Sequence, residues 1–329
     1  MWSFASLKIE NPIVLGPMAG ITTLAYRAFM QRFGVGLRYT EMVSDCGIIH
    51  DSRNTMKYLA IGKDEHPIGV QLFGAKADTL VKAIAKLEKM AVPYDFLDIN
   101  MGCPMPKVTK TGAGAAWLKR PAEMEDMMRQ VVAASHKPVS AKIRIGSDDE
   151  HINVFDIVAR LERAGVSMIA IHTRTTKQIY QGKARHDIIK DLGMKMKVPL
   201  VISGDIDSLD HAIEAMDITK ATAVMVARGG LGKPRLIAQL ERYFRDGTRL
   251  EDAMLLEQLR YLRQFAKKLV ALKGEDIAMR EVRGIGIHFL AGFPGMKSHK
   301  AHLSQITDFK QLEKMIRTIR YGEYRKKNI

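Results

Sequence analysis

From residue 13 to about residue 244, short apolar runs alternate with amphipathic stretches. The apolar runs fall at 13–15, 37–42, 68–73, 96–99, 139–145, 168–171, 200–202 and 223–226, and each reads as a buried strand. Between most of them apolar positions recur at helical spacing, at 76–90, 122–134, 154–164 and 209–216. Eight strands with intervening helices predict an α/β chain folded as a (β/α)8 TIM barrel over residues 1–244. A doubly wound sheet is the competing arrangement. It would usually carry a glycine-rich dinucleotide loop after its first strand. Here that position holds Gly16-Pro17-Met18-Ala19-Gly20, whose proline and spacing do not fit.

After Arg245-Asp246-Gly247 the strand-like runs stop. Residues 250–272 read as one long helix, and 277–290 and 309–319 as two more. Residues 245–329 therefore form a small C-terminal helical domain appended to the barrel. Gly284-Ile285-Gly286 has the look of a nucleotide loop, but it follows no strand and is discounted.

Composition narrows the class. The 329 residues are 47% hydrophobic, enough for a large core. Two cysteines, Cys46 and Cys103, make no disulfide framework and point to a reducing cytoplasm. Cys46 lies outside the turn motif and reads as an ordinary small hydrophobe. No basic-then-apolar leader opens the chain, and no apolar run is long enough for a bilayer. A soluble cytoplasmic protein, a monomer without membrane attachment, is the expectation. The formal net charge is +15. From Arg245 onward 18 basic residues face 10 acidic ones, a surplus of 8, so about half the excess sits in the helical domain. A polyanionic partner fits this distribution, and plain solubilising charge is the alternative.

Polar residues gather where the predicted strands end. Gln71 ends the third, and Asn100-Met101-Gly102-Cys103-Pro104 follows the fourth. The glycine permits a tight turn and the proline stiffens it, holding a thiol where barrels keep their chemistry. A cysteine in an ordinary loop merely fills space; the turn, Asn100 and the basic residues that follow argue otherwise. Lys142 and Arg144 alternate with Ala141, Ile143 and Ile145, so both share one strand face. His172 and Arg174 end the sixth strand, Ser203-Gly204-Asp205 the seventh, and Ala227-Arg228-Gly229-Gly230 the eighth. Each alone is as readily a satisfied structural residue. Together they make a rim, and its last two loops suit a phosphate-bearing cofactor.

The chain resembles the tRNA-dihydrouridine synthases, most closely their bacterial B-type branch. Gly16-Pro17-Met18-Ala19-Gly20, Val70-Gln71-Leu72-Phe73-Gly74, Asp98-Ile99-Asn100-Met101-Gly102-Cys103-Pro104 and Ala141-Lys142-Ile143-Arg144 carry the resemblance in the first half. His172-Thr173-Arg174-Thr175, Gly204-Asp205-Ile206, Arg228-Gly229, Arg280-Glu281-Val282-Arg283 and Gly292-Phe293-Pro294-Gly295 carry it further.

The resemblance implies a flavin mononucleotide (FMN) enzyme, reduced by NADPH or NADH, that acts on uridines in tRNA. Reduced FMN would give hydride to C6 of uracil, and Cys103 would give a proton to C5. Pro17, Met18 and Ala19 would line the flavin, Gln71 and Lys142 would bond its ring edge, and His172 would lie near it. Ser203, Gly204, Asp205, Ala227, Arg228 and Gly229 would hold its phosphate. Ser203 and Ala227 stand where the family often has asparagine and glycine. Asn100, Arg144 and Arg174 are expected on the substrate side. Arg280 and Arg283, at i,i+3 spacing on a predicted helix, would face RNA together. No metal is expected. Two rival readings are an FMN barrel enzyme acting on a free pyrimidine, such as a dihydroorotate dehydrogenase, and a non-catalytic RNA-binding barrel.

Overall fold

In the computed structural model the described residues are 1–327, with side chains described through residue 322. The basic cluster Arg325-Lys326-Lys327 lies outside the described side chains. Strands β1 (Trp2–Phe4) and β2 (Leu7–Ile9) pair as an antiparallel hairpin. Then follow β3 (Ile13–Leu15), β4 (Leu37–Ser44), β5 (Ile68–Phe73), β6 (Phe96–Met101), β7 (Val139–Arg144), β8 (Met168–His172), β9 (Leu200–Ser203) and β10 (Ala223–Val226). These eight are parallel, each beside its neighbour in sequence, and β10 closes on β3. The chain is a TIM barrel, as its apolar runs predict. Strand β6 outruns the expected 96–99 because Asn100 and Met101 continue the ladder opposite Lys142 and Ile143. A polar residue at a strand's end hides the strand from an apolar count.

The barrel interior is layered. At its lower end Val14, Leu37, Tyr39, Phe96, Met168, Val201 and Ala223 pack with Phe4 and Ile9 of the hairpin, which covers this end. Phe96 meets the rings of Phe4 and Tyr39 edge-on at 5.2 and 5.3 Å. Gly69 makes room for it, since a Cβ there would sit 2.3 Å from the Phe96 ring. Higher up the interior turns polar, with Gln71, Asp98 and Ser140 buried and linked.

The helical segment shares the barrel's core. Helix Leu255–Lys273 lays Phe265 against Phe29 of the barrel helix Leu24–Met30, with ring centroids 5.4 Å apart. Phe289 stacks on Phe265 at 5.7 Å. Backbones also meet here. Gly232 has φ +65, and a Cβ on it would lie 2.3 Å from the His288 backbone. The expected division at 244/245 falls inside helix Pro234–Asp246, which Gly247 ends in a left-handed conformation. Two helix expectations need correction. Residues 250–254 are not helical, because Arg235 and Gln239 bind the carbonyls of Glu251 and Leu250. The span 277–290 is helix Glu275–Ile285 followed by a tighter turn, Gly286–Leu290. Cys46 also differs from expectation: it is exposed, on the short helix Asp45–Ile49. Among the described residues no helix is long and apolar enough to cross a membrane.

Because the aromatic seam is one core, Phe265→Ala should cost about 3–5 kcal/mol. Urea unfolding followed by fluorescence and by far-UV circular dichroism should still give one coincident transition, shifted to lower urea. Two separated transitions would show that barrel and helices hold together independently.

Candidate functional site at the C-terminal rim

The strands' C-terminal ends open on a cavity of about 620 Å³. Pro17, Met18 and Ala19 after β3, Gln71, Asn100, Cys103, Lys142, Arg144 and His172 line it. Ser203 at the end of β9, Gly204 and Asp205 after it, and Ala227, Arg228 and Gly229 after β10 complete the ring. Barrel topology thus brings seven strand ends or the loops that follow them, distant in sequence, onto one rim.

A buried relay runs from the barrel interior to the thiol. Ser140 Oγ donates to Asp98 Oδ1, and Gln71 Nε2 donates to Asp98 Oδ2 at 2.7 Å. That fixes the Gln71 amide so that its Oε1 accepts from Asn100 Nδ2 at 2.8 Å. Asn100 Oδ1 is then left to accept the backbone N–H groups of Gly102 and Cys103, at 3.1 and 2.9 Å. The carboxamide expected to face substrate therefore works inward. It holds the turn, and Asn100 contributes its flank to the cavity wall. Arg144 braces the same turn, with Nε donating to the Gly102 carbonyl at 2.8 Å.

Electrostatics follow burial. Burial pushes the Cys103 thiol up, against the lowering pull of the Met105 amide, Arg144 and Lys142, so at neutral pH it is a proton-bearing thiol. Burial, then repulsion from Arg144, brings Lys142 down to about 8, and burial brings Arg144 down to about 10. His172 is held well below the ordinary histidine range, first by burial and then by Lys142, Arg144, Arg174 and Arg228. Its neutral Nε2 accepts from Arg174 Nη1 at 3.3 Å, which leaves the ring proton on Nδ1. Four cations, Lys142, Arg144, Arg228 and Lys233, thus line a cavity whose two lining carboxylates are engaged: Asp205 with Arg174 and Asp207 with the His211 ring. This donor set fits an anionic, phosphate-bearing ligand.

Arg174 does not line this cavity. Its side chain is buried and clasps the Gln181 and Gly182 carbonyls, Asp205 and His172, so it organises the loop instead. Arg280 is exposed on helix Glu275–Ile285, outside this cavity but in the wall of an adjoining one. Arg283 is half-buried and lines neither cavity. Neither makes an ion pair among the described residues; Glu281 between them pairs with Lys273.

Tyr180, His288 and Ala291 are among the lining residues that lie outside the motifs. Tyr180 sits in the loop after β8, its ring 3.9 Å from the Arg228 guanidinium carbon. The only sequence signal was the length of that loop, longer than structural connections need. His288 and Ala291 come from the helical segment, which thereby forms part of the cavity wall.

Fold and rim define a barrel enzyme with a thiol and a cationic cleft at the strands' C-terminal ends. The chain belongs to the dihydrouridine synthase family, whose model, Dihydrouridine synthase (Dus), matches residues 14–321. It is 34% identical to a probable tRNA-dihydrouridine synthase 1 of Synechocystis sp., over 93% of this chain and 85% of that protein. It is 33% identical to tRNA-dihydrouridine synthase B of Shewanella oneidensis, over 84% and 85%. Its fold is similar to histamine dehydrogenase from Rhizobium sp. 4-9, with TM-score 0.54 and 11% identity over 79% of this chain and 49% of that one.

The raised thiol makes a pH prediction. In a Cys46→Ser background, iodoacetamide labelling of Cys103 should be slow at neutral pH and still rising above about pH 9, past the midpoint of about 8.5 for a free thiol. A plateau reached below that midpoint would show a thiolate-stabilising site and contradict the assignment.

Proposed function

We propose that this protein is an oxidoreductase that reduces the C5–C6 double bond of uridines in tRNA to 5,6-dihydrouridine. The observation that carries the reading is a neutral thiol, on a turn held by Asn100, in the same cavity as four cations. Family membership supplies the substrate class, and the names of the relatives agree with it.

FMN, reduced by NADPH or NADH, is the cofactor that suits this cavity, and when bound it supplies the hydride for C6. Arg228, with the backbone at Gly204 and Gly229, would hold its phosphate. Lys142 and Gln71 would hold its ring edge, and Lys142 would neutralise negative charge there. Cys103 keeps its proton at neutral pH and can give it to C5. The relay through Asp98, Gln71 and Asn100 keeps that proton at a fixed height in the cavity. Arg144 braces the turn from the other side. A uridine in folded tRNA reaches this depth only by leaving its stack, so base flipping is implied. Free cations on the helical segment, Arg280 foremost, would hold the RNA backbone, and binding would weaken as salt rises.

Mapping dihydrouridine in tRNA from cells lacking the gene tests the reading: at least one site should be lost and should return with the wild-type gene. No lost site, or activity on free uracil or orotate instead of tRNA, would contradict it. Cys103→Ala should slow dihydrouridine formation by about 10²–10⁴-fold while nicotinamide still reduces the flavin. Full activity of that variant would remove the thiol from its role. Arg228→Ala should lose FMN on dialysis, because a phosphate loses a charged hydrogen-bond partner worth about 1.5–3 kcal/mol. Equal retention would place the phosphate elsewhere.

A further inference from the structure

Beside the main cavity lies a second of about 410 Å³, at the seam between the loop after β3 and helix Glu275–Ile285. Ile21, Leu231 and His288 line both, so the two adjoin. Its volume falls within the range of about 300–1,000 Å³ typical of small-ligand sites.

Gly284 in its wall is otherwise unexplained. Glycine is a poor residue within a helix. The backbone does not require it, because Gly284 is not among the positive-φ residues. Packing does not require it either, since a Cβ there would meet no protein atom within 4 Å. The contrast is Gly286, where a Cβ would press on Leu303 at 3.1 Å and Leu262 at 3.2 Å. At 284, an exposed position, a side chain would extend into the slot without meeting the protein at its Cβ.

Four residues earlier on the same helix face stands Arg280, which lines the same slot, is exposed and makes no ion pair among the described residues. Ile21, Leu231 and Ile285 give the slot apolar walls, and the His288 ring, kept below its ordinary range by burial and by Lys300, gives it a neutral aromatic one; the Glu281 carboxylate that also lines it is paired with Lys273. A guanidinium with no ion pair among the described residues, at the edge of a mainly apolar slot with one aromatic wall, suits a nucleotide, phosphate outside and base within.

We infer that this second cavity is a subsite for the nucleotide next to the reduced uridine, taking its base beside Gly284 and its phosphate onto Arg280. The inference rests on the proposed tRNA substrate. It gives the helical segment a part in choosing the uridine by its neighbour, as well as in holding RNA by charge.

Gly284→Leu fills the slot with a good helix former. Wild type and variant are compared for binding of intact tRNA and of tRNA with an abasic site on either side of the mapped uridine. Intact tRNA should bind the variant roughly ten-fold more weakly, within what one stacked base contributes. One abasic position should weaken wild type by a similar factor, yet weaken the variant less than about two-fold further, because both changes remove one contact. Flavin content and melting temperature serve as fold controls. Should Gly284→Leu not fold, Gly284→Ala puts a single methyl in the slot and should weaken binding a few-fold, again without adding to the abasic loss. Unchanged affinity for intact tRNA, or losses that multiply, would overturn the inference. So would weaker NADPH binding with tRNA binding intact, which would give the slot to the nicotinamide donor. A wild-type protein that neither binds tRNA nor forms dihydrouridine would instead sink the substrate itself, before any variant is compared.

Discussion

The site depends on one carboxamide. Asn100 Oδ1 accepts two successive backbone N–H groups, those of Gly102 and Cys103, and so fixes the turn that carries the thiol. An amide can present its oxygen there only if its nitrogen is placed elsewhere. Gln71 places it, and Asp98 places Gln71. Each link is buried, where a flipped amide would leave two polar atoms unpaired at a cost of about 1–3 kcal/mol apiece. Orientation is thus set by a carboxylate deep in the barrel and passed outward to the rim.

A second constraint is the seam between barrel and helical segment. Phe29, Phe265 and Phe289 form one aromatic cluster across it, and Gly232 lets the last barrel loop touch the His288 backbone. That loop follows Arg228 and Gly229, so the residues expected at the phosphate and the wall supplied by His288 and Ala291 are set by the same contact. The active cavity is therefore a product of both parts of the chain. A polyanion held on the helical segment would lie against the mouth of the cavity.

The barrel was legible because parallel strands are covered on both faces and read as apolar runs. Lys142 and Arg144 stood out because they interrupt such a run with period two. Position at a strand's end does not fix the direction of Arg174, which lies past the end of β8 and turns inward to bind loop carbonyls. Cys46 reads as a small hydrophobe from its type alone, yet a short helix turns it to solvent. Residues 250–254 carried a pattern continuous with the next helix, but side chains from Arg235 and Gln239 claim their carbonyls. Tyr180 and His288 reach the cavity through long-range packing, which no local pattern encodes. Asn100 was found by its motif, yet its inward role needed the positions of Gln71 and Asp98.

The claim that Asn100 acts through Cys103 is tested most directly by a double-mutant cycle. Single-turnover dihydrouridine formation on tRNA is measured for Asn100→Ala, for Cys103→Ala and for the pair together. If Asn100 serves to hold the thiol, the double variant should be within about two-fold of Cys103→Ala alone, since a turn without its thiol has nothing left to position. Losses that multiply would mean that Asn100 acts on the substrate by itself, and would contradict the account.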